Sequence, residues 1–194
     1  MTNAFTTREE WLQAFTTKAR TVFLDAGYVV PTIRVSVGFT SKGSKGNRIG
    51  ECWVPEASED QTPEIFITPA IGCAERIADI HTHELIHATG IRGHKADFVR
   101  CMKAVGLEGK PTATVAGDAW RDWALPIIAL LGPLPHAALS GAAGGSTEKK
   151  QTTRMIKCEC GSCGFVFRTS SKWLEGDADL GCPDRSCGGT IEIG

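Results

Sequence analysis

Apolar side chains recur every three or four positions near the start of the chain, at Trp11, Leu12, Phe15, Ala19, Val22 and Phe23. That is the stripe of an amphipathic helix. Thr7 followed by Glu10 makes a capping-box pattern and Gly27 a stop, so the expected helix runs from Thr7 to Ala26. The period then shortens to two. Ile33, Val35, Val37 and Phe39 alternate with Arg34, Ser36 and Gly38, as in a half-buried strand. "IGECWV" and "EIFIT" read as two more strands beyond the turn-forming "SKGSKGNR". Together they predict a small antiparallel sheet following a helix.

From Gly72 the pattern is helical again. Ala74, Ile77, Ala78, Ile80, Leu85 and Ile86 surround most of this helix, which marks it as buried, and Gly90 ends it. A third helix is expected from Lys95 to Val105, with Phe98, Met102 and Val105 inward and Gly106 closing it. "GKPTATVAG" reads as loop. Asp118 to Leu131 reads as a last helix interrupted near Pro126, and "LGPLPHAAL" as irregular. "SGAAGGSTEKKQTT" is small and polar with no apolar period, as in a linker. The expected division is a domain over 1–139, a flexible linker over 140–153 and a cysteine-rich module over 154–194. The fold class is α+β, and there is no internal repeat.

A chain of 194 residues fits one domain with a small appendage, and 42% hydrophobic with 22% charged residues suits a globular protein. The longest nearly uncharged run, Trp123 to Ser140, is broken by Pro126, Pro133 and Pro135, so it is no membrane span. "MTNAFTTREEW" lacks the basic start and apolar stretch of a secretion signal. A cytoplasmic protein without a membrane partner is the expectation. The net charge of −1 excludes a bulk electrostatic pull toward nucleic acid. A local basic stretch from Ser146 to Trp173 reads either as a basic patch or as a solvated linker.

The segment "HELIHATGIRGH" changes the picture. His83 and His87 are four apart, so on a helix they share one face and can converge on one ion. Glu84 is next along, able to reach a water at that ion without being a ligand. HExxH on a helix is a zinc-hydrolase signature. The bland alternative is an ordinary helix rich in histidine. Against it, two unpaired imidazoles and a carboxylate in an apolar helix are costly without a partner. Gly90 lets the chain turn back, and His94 follows within reach. The metzincin pattern would place a histidine at position 93, where Gly93 stands, and there is no Met-turn signal. Glu108 is poorly placed for a downstream carboxylate ligand. His83, His87 and His94 are therefore the expected ligands and Glu84 the catalytic base. Asp97, one turn beyond His94, is a candidate to orient an imidazole, or a plain surface residue. His81 points elsewhere and reads as supporting or structural. His136 has no evident chemical role.

Such a site leaves a fourth zinc position open for water, whose pKa zinc lowers from 15.7 to roughly 7. The expected reaction is metal-assisted hydrolysis of a peptide bond, with Glu84 moving the proton.

Five of the eight cysteines crowd the C-terminus, which in an intracellular chain argues for metal and not for disulfides. Cys160 and Cys163 form one zinc half-site, and Cys182 with Cys187 the plausible other half. Cys158 is a spare thiol able to replace Cys160. A closed four-thiolate site of this kind is structural, and the alternative is a reduced, disordered tail with free thiols. "FVFRTSSKW" mixes aromatics with Arg168 and Lys172, suited either to nucleic-acid contact or to the module's own small core. Two zinc ions are expected, one catalytic and one structural.

"HELIH", then "GH" with Lys95, Ala96, Asp97 and Phe98, then a cysteine-rich module after a linker, resembles the SprT-like family, which includes the Spartan proteases. Phage and bacterial members look similar also in "GKPTATVAG" and "GPLPHAAL". The resemblance implies a compact zincin-like metalloprotease domain followed by a zinc ribbon, with zinc on His83, His87 and His94 and Glu84 as base. It implies a protein substrate, including proteins bound or crosslinked to DNA, and host cytoplasm for a virus-encoded member. The competing expectation is a non-enzymatic nucleic-acid or protein adaptor with two structural zinc sites.

Overall fold

The computed structural model describes residues 4–43, 47–139, 155–174 and 180–193. The linker expected over 140–153 lies outside them. The chain divides into two compact units, Met1–Ala143 and Gly144–Gly194. The fold is mixed α and β, with four α-helices and three small sheets among the described residues. No helix among them is long and apolar enough to cross a membrane.

The first unit opens with α1 (Arg8–Asp25). Its capping box is complete, because the Thr7 hydroxyl accepts from Glu10 N while the Glu10 carboxylate accepts from Thr7 N. Trp11, Leu12, Phe15, Ala19 and Phe23 form its fully buried stripe. Arg8 is also fully buried. Its guanidinium donates to three carbonyls, those of His136, Pro69 and Ile71, and so ties α1 to the irregular 132–139 segment.

Three strands follow: β1 (Arg34–Val37), β2 (Gly50–Trp53) and β3 (Glu64–Ile67). The sheet departs from the antiparallel expectation. Its order is β1-β3-β2, with β1 parallel to β3 and only β2 antiparallel to it. The last strand in sequence inserts between the first two, so β1 and β2 are not neighbours. Val35, Ile65 and Ile67 face the core, while Glu51, Trp53, Glu64 and Phe66 share the opposite face.

The buried helix α2 (Ala74–Ala88) packs against α1, the sheet and the two helices that follow. Next come α3 (Ala96–Ala104), β4 (Leu107–Lys110), β5 (Ala113–Ala116) and α4 (Asp118–Leu131). β4 and β5 pair as an antiparallel hairpin where a loop was expected. Pro111 and Thr112 make its two-residue turn, and on β5 Thr114 and Ala116 are buried while Ala113 and Val115 are exposed. The interruption expected in α4 is absent too. The helix runs continuously through Pro126, which lies on the exposed face together with Asp122, whose carbonyl loses its partner. Water can satisfy that carbonyl, while Trp120, Ala124 and Leu131 anchor the other face. Trp11, Trp120 and Trp123 each place the indole N–H on a partner: Gly132 O, Thr82 Oγ1 and Val105 O.

The second unit is a three-stranded antiparallel sheet of β6 (Ile156–Cys160), β7 (Val166–Thr169) and β8 (Ile191–Ile193), in the order β7-β6-β8.

Candidate metal centres

α2 sets the first centre. Its helical repeat stacks His83 above His87, with ring centroids 5.1 Å apart. The chain leaves α2 through Gly90 (φ 95°) and Gly93 (φ 69°), left-handed positions that reverse it within a few residues. His94 is thereby returned to the same face just before α3. Its Nε2 lies 3.1 Å from His83 Nε2 and 3.3 Å from His87 Nε2. A tetrahedral zinc with Zn–N near 2.0–2.1 Å requires nitrogens roughly 3.3–3.4 Å apart. Phe98 of α3 closes the back of the group, with its ring centroid 4.7 to 4.9 Å from all three imidazoles.

The far nitrogens of His83 and His87 are also engaged. His87 Nδ1 lies 2.9 Å from the carbonyl of Ile91. A carbonyl only accepts, so Nδ1 carries the proton and Nε2 of the neutral ring presents a lone pair. His83 Nδ1 lies 2.9 Å from Thr114 Oγ1. Burial pushes the His83 imidazole down to about 3, assisted by the neighbouring His87 and His94. Burial lowers His87 and His94 as well. Three crowded imidazoles with their Nε2 atoms turned together suit a cation, and this group could hold a metal ion such as zinc.

Glu84 is 6% exposed. Burial, and then the charge of Glu51, raise its carboxyl to about 8. It lines the same cleft as the three histidines, a cavity of about 680 Å³ walled by β2 on one side and by the hairpin residues Thr112 to Thr114 on the other. Asp97, the candidate to orient an imidazole, does not do so at His83 or His87. It pairs with Arg100 on the surface of α3, and Thr114 and the Ile91 carbonyl take that role. His81 faces away, fully buried, with Nε2 2.7 Å from Thr16 Oγ1. The Thr16 hydroxyl donates to Leu12 O, so it accepts from His81 Nε2, and His81 Nδ1 stays buried without a partner. His136 contributes its backbone carbonyl to Arg8.

The second centre gathers Cys160, Cys163, Cys182 and Cys187, whose sulfurs lie within 4.8 Å of one another. Cys160 Sγ is 3.7 Å from Cys187 Sγ, and Cys163 Sγ is 3.6 Å from Cys182 Sγ. The wide spacing in "CPDRSC" is taken up by a turn, in which Asp184 accepts from the backbone and hydroxyl of Ser186 and Cys187 N donates to Asp184 O. The backbone N–H groups of Cys163 and Ser162 draw the Cys160 thiol down to about 7, while burial sends Cys182 up to about 12. The four thiols cannot all ionise without a cation among them, and this group too could hold an ion such as zinc. Cys158 stays outside the group. It is fully buried at the centre of β6, opposite Phe167 and Ile193. Arg168 is exposed on β7, and Lys172 lies 5.2 Å over the ring of Trp173, which is itself 70% exposed.

Comparison of the chain with family models, with curated proteins and with solved structures gives no match.

The sequence reading missed Thr114, the Ile91 carbonyl and the Arg76–Asp79 pair behind β5. Thr114 sat in a stretch read as loop, although its alternation with Val115 was a weak strand signal. A backbone carbonyl leaves no trace in residue type.

Proposed function

We propose that this chain is a zinc-dependent endopeptidase of the SprT-like type, with a zincin-like catalytic unit and a structural zinc ribbon. One observation carries the reading: three imidazoles gathered by their Nε2 atoms, with the far nitrogens of His83 and His87 already engaged, beside a buried glutamate in an open cleft. His83, His87 and His94 would hold the zinc, and Cys160, Cys163, Cys182 and Cys187 the structural ion. Bound zinc supplies an acidified water and a Lewis acid for the scissile carbonyl.

The chain's own residues supply the rest. Thr114 orients the His83 ring and the Ile91 carbonyl the His87 ring. Glu84 takes a proton from the attacking water and delivers it to the leaving amine, and a carboxyl raised toward neutrality by burial suits both halves of that transfer. β2 and the β4–β5 hairpin confine an extended substrate over α2. Protein substrates, DNA-bound or DNA-crosslinked proteins among them, are the proposed class. Arg168 and Lys172, near the exposed Phe165 and Trp173, are the proposed nucleic-acid contacts of the ribbon.

The test is incubation of the full chain with a protein–DNA crosslink and with free protein, with and without chelator, beside Glu84→Gln. Wild type cleaves and chelator stops it. Glu84→Gln loses about 10²- to 10⁴-fold in rate while zinc stays bound. Cleavage by that variant at the wild-type rate would refute the mechanism. DNA binding that survives the change, without any cleavage by wild type, would fit the adaptor reading instead.

A further inference from the structure

We infer that Thr114 is a positioning residue for the histidine centre, held in place by an Arg76–Asp79 clamp, and that through His83 it sets how tightly the centre takes a metal ion. The inference rests on the metal-site reading above.

Thr114 Oγ1 is the polar group at 2.9 Å from His83 Nδ1, and Thr114 itself is 7% exposed. It belongs to a two-stranded hairpin, which by itself is a marginal support for a ring that must be held still. The support comes from α2. Arg76 NH1 bonds both oxygens of Asp79 at 2.8 and 2.9 Å and donates to Thr114 O at 3.3 Å. Asp79 Oδ2 accepts from Ala116 N at 3.2 Å. Two backbone groups of β5, on either side of Val115, are thus fixed to one ion pair on the helix that carries His83. The arrangement closes on itself: helix to clamp, clamp to strand, strand hydroxyl to imidazole, imidazole back to helix.

The chemistry of the clamp fits this role. Asp79 is 4% exposed, and a buried carboxylate is costly unless it is paired and hydrogen-bonded. Here every partner it has also fixes the position of β5. An apolar pair of similar volume would fill the space without aligning the strand. The hydroxyl of Thr114 matters because a ligating imidazole is oriented through its other nitrogen, and loss of such a partner costs about 10- to 100-fold in metal affinity.

The test measures zinc affinity of the full chain by chelator competition, with His83→Ala marking which of the two centres is being read. Thr114→Val removes the hydroxyl and keeps the branched side chain. We expect the histidine centre to bind about 10- to 100-fold more weakly in this variant, and Thr114→Ser to stay within about threefold of wild type. The melting temperature of the chelated protein should shift little. Should Thr114→Val lose the native circular dichroism spectrum, Thr114→Ala replaces it with the same two outcomes. Wild-type affinity in the hydroxyl-free variant overturns the inference, as does an equal loss in Thr114→Ser. If wild type and His83→Ala take up the same number of zinc ions, the metal-site reading itself fails, and this inference with it.

Discussion

Gly50 lies against Glu84: a Cβ built on residue 50 would stand 2.5 Å from Glu84 Oε1 and 2.7 Å from Ile80 Cγ2. β2 crosses the carboxylate with no space for a side chain. The backbone at Gly50 is not left-handed, so the constraint is one of volume. Gly50→Ala should therefore displace Glu84 and cost about 1–3 kcal/mol in overpacking. Turnover in the proposed peptidase reaction should fall at least about tenfold, while uptake of the proposed zinc ions stays unchanged. Urea unfolding and turnover measured on the same preparation check both halves.

Arg8 makes a second prediction. Its donors are spent on carbonyls, with no carboxylate among the partners at His136, Pro69 and Ile71. Burial lowers its pKa accordingly. A lysine offers a point charge and cannot span the same three oxygens. Arg8→Lys should destabilise the first unit by about 2–4 kcal/mol, because buried carbonyls lose partners and a buried cation remains. Equal urea midpoints for variant and wild type would refute this.

Acid should weaken the fold through His81. Its ring is fully buried and burial holds its pKa near 3, against 6.5 for a free imidazole. The folded value is the lower one, so the contribution is complete above pH 6.5 and drains away as pH falls toward 3. At about 1.4 kcal/mol per unit the loss amounts to a few kcal/mol. His81→Gln keeps a donor for Thr16 and removes the titration. Its stability should vary less than that of wild type between pH 6.5 and 4, measured by urea denaturation at each pH.

The two cysteines of β6 should behave differently. Cys160 belongs to the four-sulfur group and Cys158 does not. Cys160→Ser should remove one zinc per chain, whereas Cys158→Ala should keep both ions and cost about 1–2 kcal/mol of packing in its unit. Elemental analysis of the purified variants decides. Retention of both ions by Cys160→Ser would show that Cys158 can step in.

Local periodicity made α1, α2 and α3 legible, and the fixed spacing of His83, Glu84 and His87 made most of the centre legible with them. His94 was legible because Gly90 announced a reversal; the second left-handed glycine, Gly93, completes it in the structure. What failed depends on partners distant in sequence. The alternation in β1 and β3 identifies strands but not that they run parallel with β2 on the far side. Gly109 and Pro111 spoke for a loop, and only the packing of Thr114 and Ala116 onto α2 makes that stretch a hairpin. Pro126 spoke for a break, and the solvent on its side of α4 makes the lost hydrogen bond tolerable. The partner of His83 disappeared with the hairpin.

The two units have very different interiors. The first holds Trp11, Phe15, Phe23, Ile65, Ile67, Leu85, Phe98 and Trp120 fully out of water, while in the second only Cys158 and Cys160 are buried among the described residues. Oil supports the one and sulfur the other. With the proposed zinc ions bound at both centres, a chelator should thus leave the first unit standing but mute, and the second without a shape to keep.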